Sequence, residues 1–97
     1  MNIVSHKRIF DFYQKYNEST IPLEHWYKTA KKAKWNCFAD IKNDFNSVDS
    51  IGNQRYVFNI KGNDYRLVVV IQFRHGYIYI RFIGTHAEYD KIDCITI

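Results

Sequence analysis

The sequence predicts an α+β domain of two layers, with N-terminal helices packed on a small antiparallel sheet and a short C-terminal helix. Three observations predict it. Residues 5 to 45 carry apolar side chains at helical spacing. From Arg55 onward the spacing changes to the alternation of strands, broken by Gly62-Asn63-Asp64 and His75-Gly76, which are tight-hairpin signatures. Thr85-His86-Ala87-Glu88 then fits a capping box, in which a threonine and the glutamate three positions on satisfy each other's backbone N–H.

Taken in order, Met1 to Val4 reads as a short edge strand. Ser5 stands as N-cap of a helix through about Tyr16, whose Ile9, Phe12, Tyr13 and Tyr16 form one stripe. Asn17 ends it. Thr20 caps a second helix with Pro22 in its first turn, where a missing N–H costs little. This helix places Leu23, Trp26, Tyr27, Ala30 and Ala33 on one side and Lys28, Lys31, Lys32 and Lys34 on the other. Asn36 opens a short third helix through Phe45, and residues 46–53 read as a loop. RYVFNIK, YRLVVVIQF and YIYIRFI follow as three antiparallel strands, and a terminal helix is expected from about His86 to Asp93. No linker, repeat or low-complexity run divides residues 1–97, so a single domain is expected.

Composition bounds the function. With 46% hydrophobic and 18% aromatic residues among 97, the chain is not of disordered composition. A net charge of +4 biases it toward polyanions. Cys37 and Cys94 stand far apart in no CxxC arrangement, two cysteines make no disulfide framework, and the four histidines show no ligand spacing. The N-terminus lacks the features of a signal peptide, and no stretch approaches the ~20 apolar residues of a membrane helix, so a cytoplasmic protein without membrane contact is expected.

Alternation sorts the strands into two faces. Tyr56, Phe58, Ile60, Leu67, Val69, Ile71, Phe73, Ile78, Ile80 and Phe82 are expected to meet the helices. Val57, Asn59, Lys61, Arg66, Val68, Val70, Gln72, Tyr77, Tyr79 and Arg81 are expected on an open face. Lys61, Arg66 and Arg81 would then form a cationic cluster with no carboxylate in the same rows, suited to phosphate. A plain solvated sheet face is the competing reading.

RYVFNIKGNDYRLVVVIQF followed by YIYIRFIGTHAEYDKID, together with WYKTAKKAKW, resembles the HigB family of bacterial type II toxins, within the RelE-like superfamily of mRNA interferases. The resemblance is strongest from Asn53 to Asp93. It implies the RelE-like version of the two-layer fold and a ribosome-dependent endoribonuclease that cuts mRNA in the 30S A site. It also implies no metal and no cofactor. The implied partner is a HigA antitoxin with a helix-turn-helix domain, through which alone the toxin would reach operator DNA.

Metal-free RNA cleavage uses the ribose 2′-OH as nucleophile and requires a base, an acid and a cation for the phosphorane. Arg66 and Arg81 suit the last role, because guanidinium is always charged and grips two oxygens at once. Lys61 shares it, or acts as base if its cationic neighbours lower its pKa. His86 is the proton-transfer candidate, and Tyr89 competes if nearby arginines lower its pKa. Each has a bland counterpart: a solvated histidine opening a helix, and a tyrosine packing the terminal helix on the sheet. Asp90 stands four positions from His86 to orient it, and Glu88 belongs to the capping box. Asn59 and Tyr79 are expected to contact RNA, and Lys28, Lys31, Lys32 and Lys34 to meet rRNA phosphates. Two other functions use the same surface. One is an RNA- or ribosome-binding domain that blocks translation by occupancy. The other is a module that docks an acidic protein.

Overall fold

The computed structural model describes all 97 residues. Strand β1 (Asn2–Val4) leads into helix α1 (His6–Lys15), a 3-10 turn (Asn17–Ser19), α2 (Thr20–Lys32) and α3 (Phe38–Asp44). Strands β2 (Val48–Gly52), β3 (Arg55–Ile60), β4 (Tyr65–Gln72) and β5 (Tyr77–Thr85) follow, and α4 (His86–Tyr89) comes last. The sheet has five strands in the order β1-β5-β4-β3-β2. All neighbours are antiparallel except β1, which lies parallel to β5 with Asn2 beside Tyr77.

The core forms between the first three helices and one sheet face. Ile9 of α1, Leu23, Trp26 and Ala30 of α2, and Ile41 of α3 are buried against Phe58, Leu67, Val69, Ile71, Ile78 and Ile80. These are the apolar stripes that periodicity selects, and burying them drives the layers together. Tyr65 at the start of β4 packs against Phe12 of α1 and Tyr16 just beyond it, and its hydroxyl donates to the Glu18 carboxylate.

Several local expectations are corrected. Residues 46–53 are not a loop throughout. Val48 is buried opposite Phe58, and β2 pairs with β3 as an edge strand. Its polar residues face water, so composition hid the strand. Ser5 precedes α1 but adopts a left-handed φ of 71° and makes no side-chain cap. Cys37, rather than Asn36, occupies the N-cap position of α3, and Ser19, rather than Thr20, that of α2, where no side chain caps the helix. The last helix ends at Tyr89 rather than Asp93.

The largest departure is on β5. The register with β4 shifts between Val68 and Val69, which pair with Phe82 and Ile80. Arg81 is the extra residue of this bulge. A bulge reverses the alternation beyond it. Phe82 therefore lies on the Val68 face rather than the helix face, and Ile83, beside Leu67, takes its place against the core.

The second face is also less open than alternation predicts. Val57 and Val68, with 2% and 0% exposure, are buried there. The Tyr89 ring lies 6.5 Å from that of Phe82. Beyond α4 the chain returns across the sheet, where Asn53 donates to the Ile95 carbonyl at 3.1 Å and Arg55 to that of Ile97. Toward the β3–β4 turn this face ends in a solvent-facing rim.

Candidate active site

The rim is built from two adjoining pieces of chain. The β3–β4 hairpin turns through Lys61 and Gly62, both with positive φ (52° and 64°). Across the β4–β5 ladder, Tyr65 pairs with Thr85 and Arg66 with Gly84, so α4 begins beside this turn. The His86 N–H donates to the Asp64 carbonyl at 3.1 Å, joining the two pieces. The capping box forms as expected. The Glu88 N–H donates to Thr85 Oγ1 at 3.2 Å, and the Thr85 N–H to Glu88 Oε1 at 2.9 Å. That backbone bond holds the Glu88 carboxyl below the usual glutamate range. At Gly84 a Cβ would stand 2.5 Å from the Phe82 ring and 3.1 Å from Glu88 Oε1, so any larger residue there forces the Phe82 ring to shift.

His86 and Asp90 occupy successive turns, with Nδ1 to Oδ2 at 3.1 Å. With Asp90 accepting from Nδ1–H, Nε2 is the atom left to accept or donate a substrate proton. Arg66 is fixed from below, its Nη1 donating to the carbonyls of Asn63 (3.1 Å) and Tyr65 (3.3 Å). Its guanidinium lies 5.9 Å from the centre of the Tyr89 ring. The remaining donors of this held guanidinium are free for an anion.

Tyr89 departs from expectation. Burial, then a hydrogen bond from its hydroxyl to Cys94 Sγ (3.4 Å), push its pKa up to about 12, and the opposing field of Arg66 is the weaker influence. The phenol stays protonated at neutral pH, so it can donate a proton or a hydrogen bond but does not serve as a base.

Lys61 lies in the turn rather than on a strand, with Nζ 3.1 Å from Asp64 Oδ2. The carboxylate missing from the predicted rows is thus supplied by the turn itself. Asn59 faces the same way as Arg66, its ladder partner, and its amide donates to Ser47 Oγ at 2.6 Å. Arg81, displaced by its bulge, instead lines a cleft between α1 and β5. Its guanidinium makes no ion pair. The expected single row of Lys61, Arg66 and Arg81 is therefore broken at both ends.

Two sets of predicted residues lie elsewhere. Tyr79 pairs with Val70, and its ring is 6.0 Å from Tyr77, toward the opposite end of the strands. Lys28, Lys31 and Lys32 are exposed on the last turns of α2 and Lys34 just beyond. Lys31 and Lys34 border the β4–β5 turn at His75 and Gly76. An eight-residue β4 separates them from His86 by roughly 24 Å. The sequence assigned no site role to Asn63, Asp64 or Cys94, each of which holds a predicted residue in place. The turn sequence KGND was the available signal for the first two. No three His, Cys, Asp or Glu side chains come together at metal-holding distance.

Helices on one face of a five-stranded sheet, with an arginine and a histidine–carboxylate pair on one rim, define a small α+β domain of two layers. The chain belongs to the HigB toxin family. That family, described as the RelE-like toxic component of a toxin-antitoxin system, matches residues 19–92. The chain is 32% identical over 92 residues to the mRNA interferase toxin HigB of Escherichia coli K12, covering 93% of this chain and 88% of that protein. It is 27% identical over 94 residues to the mRNA interferase HigB of Escherichia coli O6:H1, covering 95% and 91%. The mRNA interferase HigB of Shigella flexneri stands at 32% over 92 residues.

Proposed function

We propose that this toxin is an endoribonuclease that cleaves mRNA on the ribosome, in the cytoplasm, and is silenced by a helix-turn-helix antitoxin of the HigA type. The names of its relatives support the reaction class. The observation that carries the reading for this chain is the His86–Asp90 pair opening α4 beside a guanidinium held by the Asn63 and Tyr65 carbonyls.

In the proposed reaction the ribose 2′-oxygen attacks phosphorus while its proton passes to His86 Nε2. The 2′-O–P bond forms and the P–O5′ bond breaks, the 5′-oxygen taking a proton from water or from the Tyr89 phenol, which leaves a 2′,3′-cyclic phosphate and a 5′-hydroxyl. Arg66 stabilises the charge on the phosphorane, the largest single contribution such a site makes. Arg81 and Lys61 add cationic field, Lys61 less because Asp64 neutralises part of it. Tyr89 holds the Arg66 guanidinium against its ring. No step calls for a metal. Asn59 and Tyr79 extend the contact to flanking nucleotides. Lys28, Lys31, Lys32 and Lys34 form a separate contact with rRNA phosphates, which makes ribosome binding weaken with salt.

The test is cleavage by purified protein in EDTA, with and without translating ribosomes. Cuts at defined positions only when ribosomes are present are expected. Arg66→Ala and His86→Gln should each lower the rate by about 10²–10⁴, and a folded Arg81→Ala variant should lose toxicity. Translation arrest with intact mRNA would replace catalysis with occupancy.

A further inference from the structure

Beside the site just described, the surface opens into a cleft of about 390 Å³ lined by Arg8, Asp11, Phe12, Arg81, Phe82 and Ile83. Topology creates it. Strand β1 covers β5 only from Tyr77 to Tyr79, so beyond Ile80 the edge of β5 faces helix α1 instead of another strand. Arg8 closes part of that edge, its Nη1 donating to the Arg81 carbonyl at 2.8 Å. The bulge brings Arg81 to the same cleft.

The lining is chemically mixed in an informative way. Arg8 and Arg81 are two guanidiniums. Phe12 and Phe82 supply aromatic surface. Asp11 is the one carboxylate, and its only ion pair is an exposed contact of 4.0 Å with Lys7 on its own helix. A site for phosphate alone gains nothing from Asp11, whose charge repels it. A site for an apolar ligand gains nothing from the arginines. A nucleotide uses all three: its phosphate meets guanidinium, its flat base meets an aromatic ring, and the donor edge of the base meets a carboxylate. A carboxylate only accepts, so it favours bases that donate. Guanine presents two adjacent donors on its Watson–Crick edge, cytosine and adenine an amino group, and uracil one ring N–H.

We propose that the α1–β5 cleft is a nucleobase subsite for the RNA beside the scissile phosphate, in which Asp11 selects donor-bearing bases and guanine above the others. This rests on the nuclease reading. It assigns sequence preference to a helix that carries no catalytic group.

Two measurements on the full chain test it. Cut positions are mapped on a translated message for wild type and Asp11→Asn, whose amide donates as well as accepts. Wild-type cuts should fall at a fixed distance from guanine. The variant should lose that preference by about fivefold to a hundredfold, the discrimination one bidentate pair supplies. Identical cut maps would overturn the proposal. The amides of Asp11, Phe12 and residues 81–83 are also followed by NMR as four ribodinucleotides, differing in one base, are added. Shifts largest for the guanine-bearing one and absent in Asp11→Asn support the subsite. They would do so even if wild type cut no mRNA, in which case the nuclease reading alone fails. No base-dependent shift at these amides would overturn the subsite whatever the cleavage result.

Discussion

The Tyr65 hydroxyl decides more than a core tyrosine usually does. It donates to Glu18, and that bond first, with burial second, raises its pKa to about 12. The same bond holds Glu18 below the usual carboxylate range. The two shifts have opposite pH signatures. The tyrosine pKa is higher in the fold than the ~10 of an unfolded chain. Its contribution is therefore complete below pH ~10 and is lost as pH rises through about 12. For Glu18 the folded value is depressed, so its contribution is present above the usual glutamate range and fades as pH falls through the lowered pKa. Ultraviolet titration of the phenols should show two groups ionising as late as about 12, Tyr65 and Tyr89, with Tyr56 also raised by burial. Tyr65→Phe should remove one late group and leave the other. A single transition for every phenol would refute the Glu18 tether. Because Tyr65 precedes Arg66, the tether also anchors the start of the strand that presents the guanidinium.

At the scale of elements, α4 has four residues, too few to be stable by its own hydrogen bonds. The capping box, the His86 N–H to Asp64 carbonyl bond and the Tyr89 ring against Phe82 hold it. Thr85→Ala should cost about 1 kcal/mol of stability, yet reduce cleavage by much more than the folded fraction falls, because His86 and Asp90 ride on this turn. Full activity in that variant would show that α4 needs no cap. The capping box and both hairpins were legible in the sequence because each signal lies within a few residues: Thr85 with Glu88, Gly62-Asn63-Asp64, His75-Gly76. The His86–Asp90 pair was legible for the same reason. The bulge at Arg81 was not, since a register shift depends on which strand lies opposite and leaves no local mark in YIYIRFI. Strand β2 was hidden by Asp49, Ser50 and Gly52, residues that an edge strand tolerates and a loop favours. The cover over Val57 and Val68 was hidden because the contacts of Asn53 with Ile95 and of Arg55 with Ile97 span 42 positions of chain.

At the scale of the molecule, strands β2 to β5 follow one another as a meander, while β1 must come from the other end of the chain to lie beside Tyr77. Local pairings form with little loop entropy, whereas the parallel pair closes a loop of most of the sequence. The β1–β5 pair should therefore be the last to close and the first to exchange its amide protons. Until it closes, the edge of YIYIRFI stands bare: a run of β-branched and aromatic residues with one charge, the composition that pairs with its own kind. The three-residue strand at the beginning thus acts as a guard against aggregation. Removing residues 1–4 should leave a chain that precipitates on refolding in proportion to its concentration, with Arg66, His86 and Asp90 all still present. A soluble, monomeric truncation would show that α1 alone shields that edge.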